Sequence, residues 1–146
     1  MELEMTGPEL EVFLSDVFPQ AAHQFQIIEV EPMKAKIRLI VAHEHLRPGG
    51  TISGPAMFAL ADVAMYIAIL GMIGPKALAV TTNLSIDFMR KPDGTKDMYA
   101  ICTLHKLGKS LAVGDVLIYS GDADKAVARA SATYSIPQNP KYQGNG

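Results

Sequence analysis

One carboxylate stands alone in a long apolar stretch: from Pro55 to Ile73 the only charged residue is Asp62. Aspartate is a poor helix former, and a carboxylate in apolar surroundings is costly unless it is hydrogen-bonded or has a function. Just upstream, Ser53-Gly54-Pro55 reads as a helix start. Free backbone N–H groups and the positive end of the helix dipole favour negative charge there. These two groups supply the parts of acyl transfer. Gly54 N–H can polarise a carbonyl and hold the developing oxyanion. Asp62 can activate water as a general base or attack as a nucleophile. The eight residues between them span about 12 Å of helix axis, so one carbonyl cannot touch both within a protomer. Two antiparallel helices side by side in a homodimer solve this, making two equivalent sites across the interface. The plainer alternative is an interfacial carboxylate satisfied by an arginine or by hydroxyls.

Other residue types of chemical interest carry less. His43, Glu44 and His45 have metal-ligand side chains but lack the helical His-Glu-x-x-His spacing, and no metal site is expected. Gly108-Lys109-Ser110 imitates the end of a phosphate-binding loop, but Leu104 stands where its first glycine belongs and no helix follows. Cys102, the single cysteine, alternates with Met98, Ala100 and Leu104 and reads as a buried structural thiol. It excludes an intramolecular disulfide and fits a reducing compartment. Met57, Met65, Tyr66 and Met72 are candidates to line an apolar pocket, although most positions on so apolar a helix are core.

The elements that must hold these groups follow from periodicity. Thr6-Gly7-Pro8-Glu9 has the form of a capping box, and Leu10, Phe13, Leu14, Val17 and Phe18 recur at helical spacing up to Pro19. Two strands follow, over 23–31 and 33–41, with a turn at Pro32. The apolar run 55–73 is long enough to cross a membrane. Asp62 at its middle, its many small residues and the lack of a second span predict instead a helix buried by protein. Beyond Gly74-Pro75, Leu78, Val80, Thr82, Leu84, Ile86 and Phe88 predict one face of a strand, with Thr81, Asn83, Ser85 and Asp87 on the other. Pro92-Asp93-Gly94 is expected to be a turn, residues 97–107 and 110–120 are further strands, and Ala126, Ala128, Ala130 and Ala132 mark a last one. Short links predict antiparallel pairing of consecutive strands. The result is one α+β domain over 1–146. A helix and linker cover 1–20, a sheet-and-helix core covers 21–136, and a frayed tail covers 137–146.

Composition narrows the class. The chain has 146 residues, 49% of them hydrophobic and only 19% charged, as expected if another subunit covers part of the surface. A net charge of −2 gives no footprint for nucleic acid or an anionic membrane. The opening residues MELEMTGPEL lack a basic-then-apolar leader, so a cytoplasmic protein is expected.

With these residues in view, the stretch from Pro48-Gly49-Gly50-Thr51-Ile52-Ser53-Gly54-Pro55 to Asp62 resembles the helix-entry motif of hotdog-fold thioesterases, in particular the phenylacetate-pathway (PaaI-like) branch. Asn83 to Pro92, Gly108 to Ala112 and the strand from Ala126 to Tyr134 match as well, so the resemblance covers roughly residues 35 to 136. It implies a hotdog fold, in which a curved antiparallel sheet wraps one long apolar helix, and a homodimer, often paired again into a tetramer. It implies hydrolysis of acyl-CoA, with CoA entering as part of the substrate and no separate cofactor. The family's acidic residue falls on Asp62, its backbone donor on Gly54, and its Thr or Ser after the helix on Thr81. Two positions depart from the pattern. Ser53-Gly54-Pro55 replaces His-Gly-Gly, leaving the Gly54 donor intact and making Ser53 a cap or a donor to substrate. Arg47 stands where Asn or Gln flanks the attacking water, so it either pairs with Asp62 and weakens it as a base or binds a substrate anion. Arg90, Lys91, Lys109 and Arg129 are candidates for the CoA phosphates. The alternative reading is a catalytically weak hotdog protein that binds acyl-CoA. Dehydration of a hydroxyacyl thioester ranks lower, because no His lies between His45 and His105.

Overall fold

The computed structural model describes residues 2–138. Helix α1 (Gly7–Val17) starts with the expected capping box: Thr6 and Glu9 satisfy each other's free N–H groups. It packs on its own domain through Leu10 and Leu14. A short helix α2 (Pro19–Ala22) follows. Strands β1 (Phe25–Glu31) and β2 (Lys34–Leu39) pair as a hairpin, with Met33 at φ 65° in the turn. The long helix α3 (Gly54–Ile73) then precedes β3 (Val80–Phe88), β4 (Met98–Leu107), β5 (Leu111–Ser120) and β6 (Ala128–Ser135).

The six strands form one antiparallel sheet in the order β1-β2-β4-β5-β6-β3, wrapped around α3. This is the hotdog architecture. Small residues on both surfaces let helix and sheet approach closely: Ala61, Ala64 and Ala68 are buried on α3, and Ala128, Ala130 and Ala132 on β6. Leu60, Ile67 and Leu70 fill the rest of that contact. Each fully buried side chain of this kind contributes about 1.5–3 kcal/mol. Gly114 in β5 is obligatory, because a Cβ there would sit 2.8 Å from the Thr103 carbonyl and 3.0 Å from Met65 Sδ. Helix α3 has the length and hydropathy of a membrane span but is mostly covered by its own sheet.

Two strand expectations are corrected. Strand β3 does not pair with β4; it joins β6, and β4 lies beside β2. The link over 89–97 is too long for a tight hairpin. It is pinned elsewhere by Thr51 Oγ1 donating to the Pro92 carbonyl and Asp93 N–H donating to Ser120 Oγ. The strict alternation predicted for β3 also fails. A register shift between Thr81 and Asn83 leaves Thr82 as an extra residue, so Thr81 pairs with Tyr134 and Leu84 with Ala132. Thr81 therefore shares the inward face of Leu84 and Ile86, away from the face expected for it. The expected tail 137–146 falls almost entirely outside the described residues.

Candidate functional site

The helix start is built as its sequence implies. Ser53, extended at φ −71° and ψ 152°, accepts a hydrogen bond from Ala56 N–H on its side chain (3.2 Å), while its carbonyl accepts from Met57 N–H. Pro55 has no N–H, which leaves Gly54 N–H as the donor of this turn with no partner among the described residues. Ser53 is thus the cap. His45, read from sequence only as a rejected metal ligand, locks the approach to it. Its Nδ1 accepts from Ala42 N–H, which puts the ring proton on Nε2, donating to Gln24 Oε1 at 2.9 Å. The His45 carbonyl accepts from Ser53 N–H at 2.8 Å.

Asp62 lies two turns further on and is half-buried. Thr81 Oγ1 donates to its Oδ1 at 2.5 Å, and the Tyr134 hydroxyl donates to the same oxygen at 2.7 Å. The register pair Thr81–Tyr134 thus grips one carboxylate oxygen, and Oδ2 has no partner among the described residues. Burial above all, and then the charge of Asp62, pushes the Tyr134 hydroxyl well above the ordinary phenol range, so it stays a proton donor. Sequence reasoning missed Tyr134. The available signal was a hydroxyl ending the inward row Ala128, Ala130, Ala132. Beside Asp62 opens a cavity of about 440 Å³, walled by Val17, Phe18, Val63, Tyr66 and Leu78 among others. Of the four pocket candidates on the helix only Tyr66 lines it, while Met57 and Met65 are core.

The other predicted residues lie apart. Gly54 sits at the opposite end of β3 from Asp62, where a Cβ on it would meet the Phe88 ring at 3.2 Å. Arg47 belongs to that far end too. It is exposed in a turn tied to Thr51, whose hydroxyl reaches Pro92, and it forms no ion pair with Asp62 among the described residues. Arg90, donating to the Ala126 carbonyl at 2.7 Å, and Lys91 follow β3 at the same end. Lys109 lies in the β4–β5 turn at the Asp62 end, since the first residue of β5 pairs with Ser135, itself the partner of Val80. Arg129 points outward and is held by Asp87 at 3.0 Å. Cys102 is buried 3.7 Å from Met65 Sδ, and burial first, then Asp115, pushes its thiol up to about 12. It is no nucleophile.

Apart from its two ends, α3 is covered except for one stripe, where Pro55, Phe58, Ala59, Asp62 and Tyr66 recur at helical spacing. Next to it runs β3, an edge strand paired on one side only among the described residues, with Val80 and Phe88 more than half exposed.

A six-stranded antiparallel sheet wrapped on one long apolar helix defines a hotdog-fold protein. Residues 49–127 match the family model of the thioesterase superfamily, and the chain belongs to that family. A crystal structure from Silicibacter sp. TM1040, described as a "putative thioesterase", is 50% identical, with 94% of this chain and 95% of that one covered and a TM-score of 0.88. A point mutant of the phenylacetic acid degradation protein PaaI from Thermus thermophilus is 25% identical over 82% of this chain and 99% of its own, with a TM-score of 0.71. Zebra fish thioesterase superfamily member 2 shares the fold at 19% identity and a TM-score of 0.81, covering 92% of this chain and 100% of that one.

Proposed function

We propose that this chain hydrolyses acyl-CoA thioesters to free acid and CoA at sites shared across a homodimer interface, as the PaaI-like resemblance implies. The observation that carries the reading is the Asp62 carboxylate, with one oxygen held by two hydroxyls and the other without a partner among the described residues, in the lining of an apolar cavity. Such a group is pre-aimed at a reacting carbonyl or its water.

The unpaired edge supports the dimer. A long edge strand with exposed apolar side chains is an aggregation hazard unless something covers it. A second copy joining β3 to β3 in antiparallel fashion covers it symmetrically, and the apolar stripe of α3 with it. Because Asp62 lies at the Thr81 end of β3 and Gly54 at the Phe88 end, reversal brings the partner's Gly54 towards Asp62. The same reversal carries the partner's Arg90 and the partner's Lys91 towards Lys109, gathering cations for the CoA phosphates. Arg129, ion-paired on the outer face, is left out of that group.

In the reaction, the thioester carbonyl accepts a hydrogen bond from the Gly54 amide. Asp62 takes a proton from water as the water oxygen bonds to the carbonyl carbon, or Oδ2 attacks that carbon itself. Collapse of the tetrahedral intermediate breaks the C–S bond; in the general-base route the proton taken from water passes to the departing thiolate, and in the nucleophilic route CoA leaves as the thiolate and is protonated by the water that hydrolyses the anhydride. When Oδ2 is the attacking atom, the resulting anhydride is then hydrolysed by water.

The decisive variant is Asp62→Asn. Its amide oxygen can still accept from Thr81 and Tyr134, so the fold is retained while the free oxygen becomes an NH₂. Thiol release from a panel of acyl-CoAs is expected to fall by about 10²-fold or more. Equal rates would remove Asp62 from the chemistry, and tight binding without turnover by the wild type would favour the acyl-CoA-binding alternative.

A further inference from the structure

We infer that the site takes plain hydrocarbon acyl groups and that Val17 and Phe18, at the end of α1, form the wall that limits their length; this rests on the acyl-transfer reading above. The cavity beside Asp62 has the size of small-molecule sites, which run from about 300 to 1,000 Å³. Apart from Asp62 Oδ2, its polar side-chain atoms are already engaged. The Tyr66 hydroxyl donates to the Ala77 carbonyl at 3.0 Å, and the Thr81 and Tyr134 hydroxyls are both directed at Asp62. Among the described residues, no Lys, Arg or His lines it. A guest therefore meets carbon surface and one free carboxylate oxygen. An acyl group ending in a carboxylate would face Asp62 with no cation from the lining of the same protomer to compensate. One ending in a hydroxyl would give up several water partners for at most the single Asp62 oxygen, which the reaction itself uses. A hydrocarbon tail loses nothing on entry.

The length limit comes from an element outside residues 49–127, the segment that carries the family match. Val17 is 38% and Phe18 39% exposed, large apolar side chains whose open surface borders this cavity. They are held firmly, because Leu10 and Leu14 anchor α1 in the core and Phe18 N–H donates to the Leu14 carbonyl at 2.8 Å. Truncating the Phe18 ring leaves that backbone bond intact, so the wall retreats without loss of the helix end.

The test measures kcat/KM over straight-chain acyl-CoAs from butyryl to palmitoyl. Phe18→Ala is expected to move the optimum to longer chains by about two carbons, with about a fourfold gain for each newly buried methylene. Val17→Trp, which adds bulk at an exposed position, moves it to shorter chains. In parallel, calorimetry with non-hydrolysable alkyl-thioether CoA analogues gives Kd against chain length for Asp62→Asn protein with and without Phe18→Ala. An unchanged chain-length profile in both variants, with hydrolysis intact, overturns the wall. Preference for succinyl-CoA over butyryl-CoA overturns the substrate class. If the wild type hydrolyses none of the series, the acyl-transfer reading fails, and the Kd series by itself decides the wall.

Discussion

Replacing Tyr134 with Phe removes one oxygen from the site and little else. The ring is 3% exposed and lies 6.3 Å, centroid to centroid, from the Tyr66 ring, contacts that Phe retains. What disappears is the 2.7 Å hydrogen bond to Asp62 Oδ1, together with a 3.0 Å contact to the Asp62 carbonyl. A hydrogen bond to a charged acceptor contributes about 1.5–3 kcal/mol. The remaining bond, from Thr81, is exposed and lies towards the weak end of that range. If the Tyr134 bond serves to aim Oδ2, its loss appears in the transition state, where 1.36 kcal/mol is about tenfold in rate. We expect kcat to fall about 10- to 100-fold while KM changes by less than about threefold. Thr81→Val should cost less, about 3- to 10-fold. The double variant should lose less than the product of the two, because both hydroxyls share one oxygen. Thiol release from acyl-CoA gives kcat and KM, and thermal unfolding of the same samples separates aiming from folding. Full kcat in a normally folded Tyr134→Phe protein would refute the role assigned to this hydroxyl.

Three other perturbations test separate parts of the reading. Gly54→Pro deletes the candidate oxyanion donor at the first helical position, where the φ of proline fits and Ser53 before it is already extended, while the Phe88 ring must give by a few tenths of an ångström to admit the new Cβ. Turnover should drop about 10²-fold with the helix intact by circular dichroism. Phe58→Glu puts a charge on the exposed α3 stripe, where Phe58 is 41% exposed. Sedimentation should then report a monomer with negligible activity, and an active monomer would contradict a shared site. The third concerns acid stability. Burial pushes the Asp97 carboxyl up, but the Val41 N–H and Arg38 hold it below its ordinary value on balance. Its stabilisation is therefore full above the unfolded carboxylate range, near pH 4, and is lost as pH falls through the lower folded value. Asp97→Asn should lower Tm at neutral pH and flatten its decline in acid. A parallel decline in both proteins would count against this linkage.

Much of the site was legible because it is local. The apolar run from Pro55 to Ile73 specified a buried helix, its lone carboxylate drew attention to Asp62, and Ser53 before Gly54-Pro55 marked the cap. Each depends on neighbours a few residues away, whose spacing records the helical period. The tertiary structure alone decided what surrounds the acid. Thr81 faces inward because of a bulge at Thr82, and such an extra residue leaves no trace in an alternating pattern. Tyr134 reaches Asp62 across 72 residues, and Phe18 closes a cavity whose other walls come from the end of α1, from α3, from the segment 77–79, and from β3 and β6. Strand order and register arise from packing many distant side chains at once, and no window of the sequence contains them.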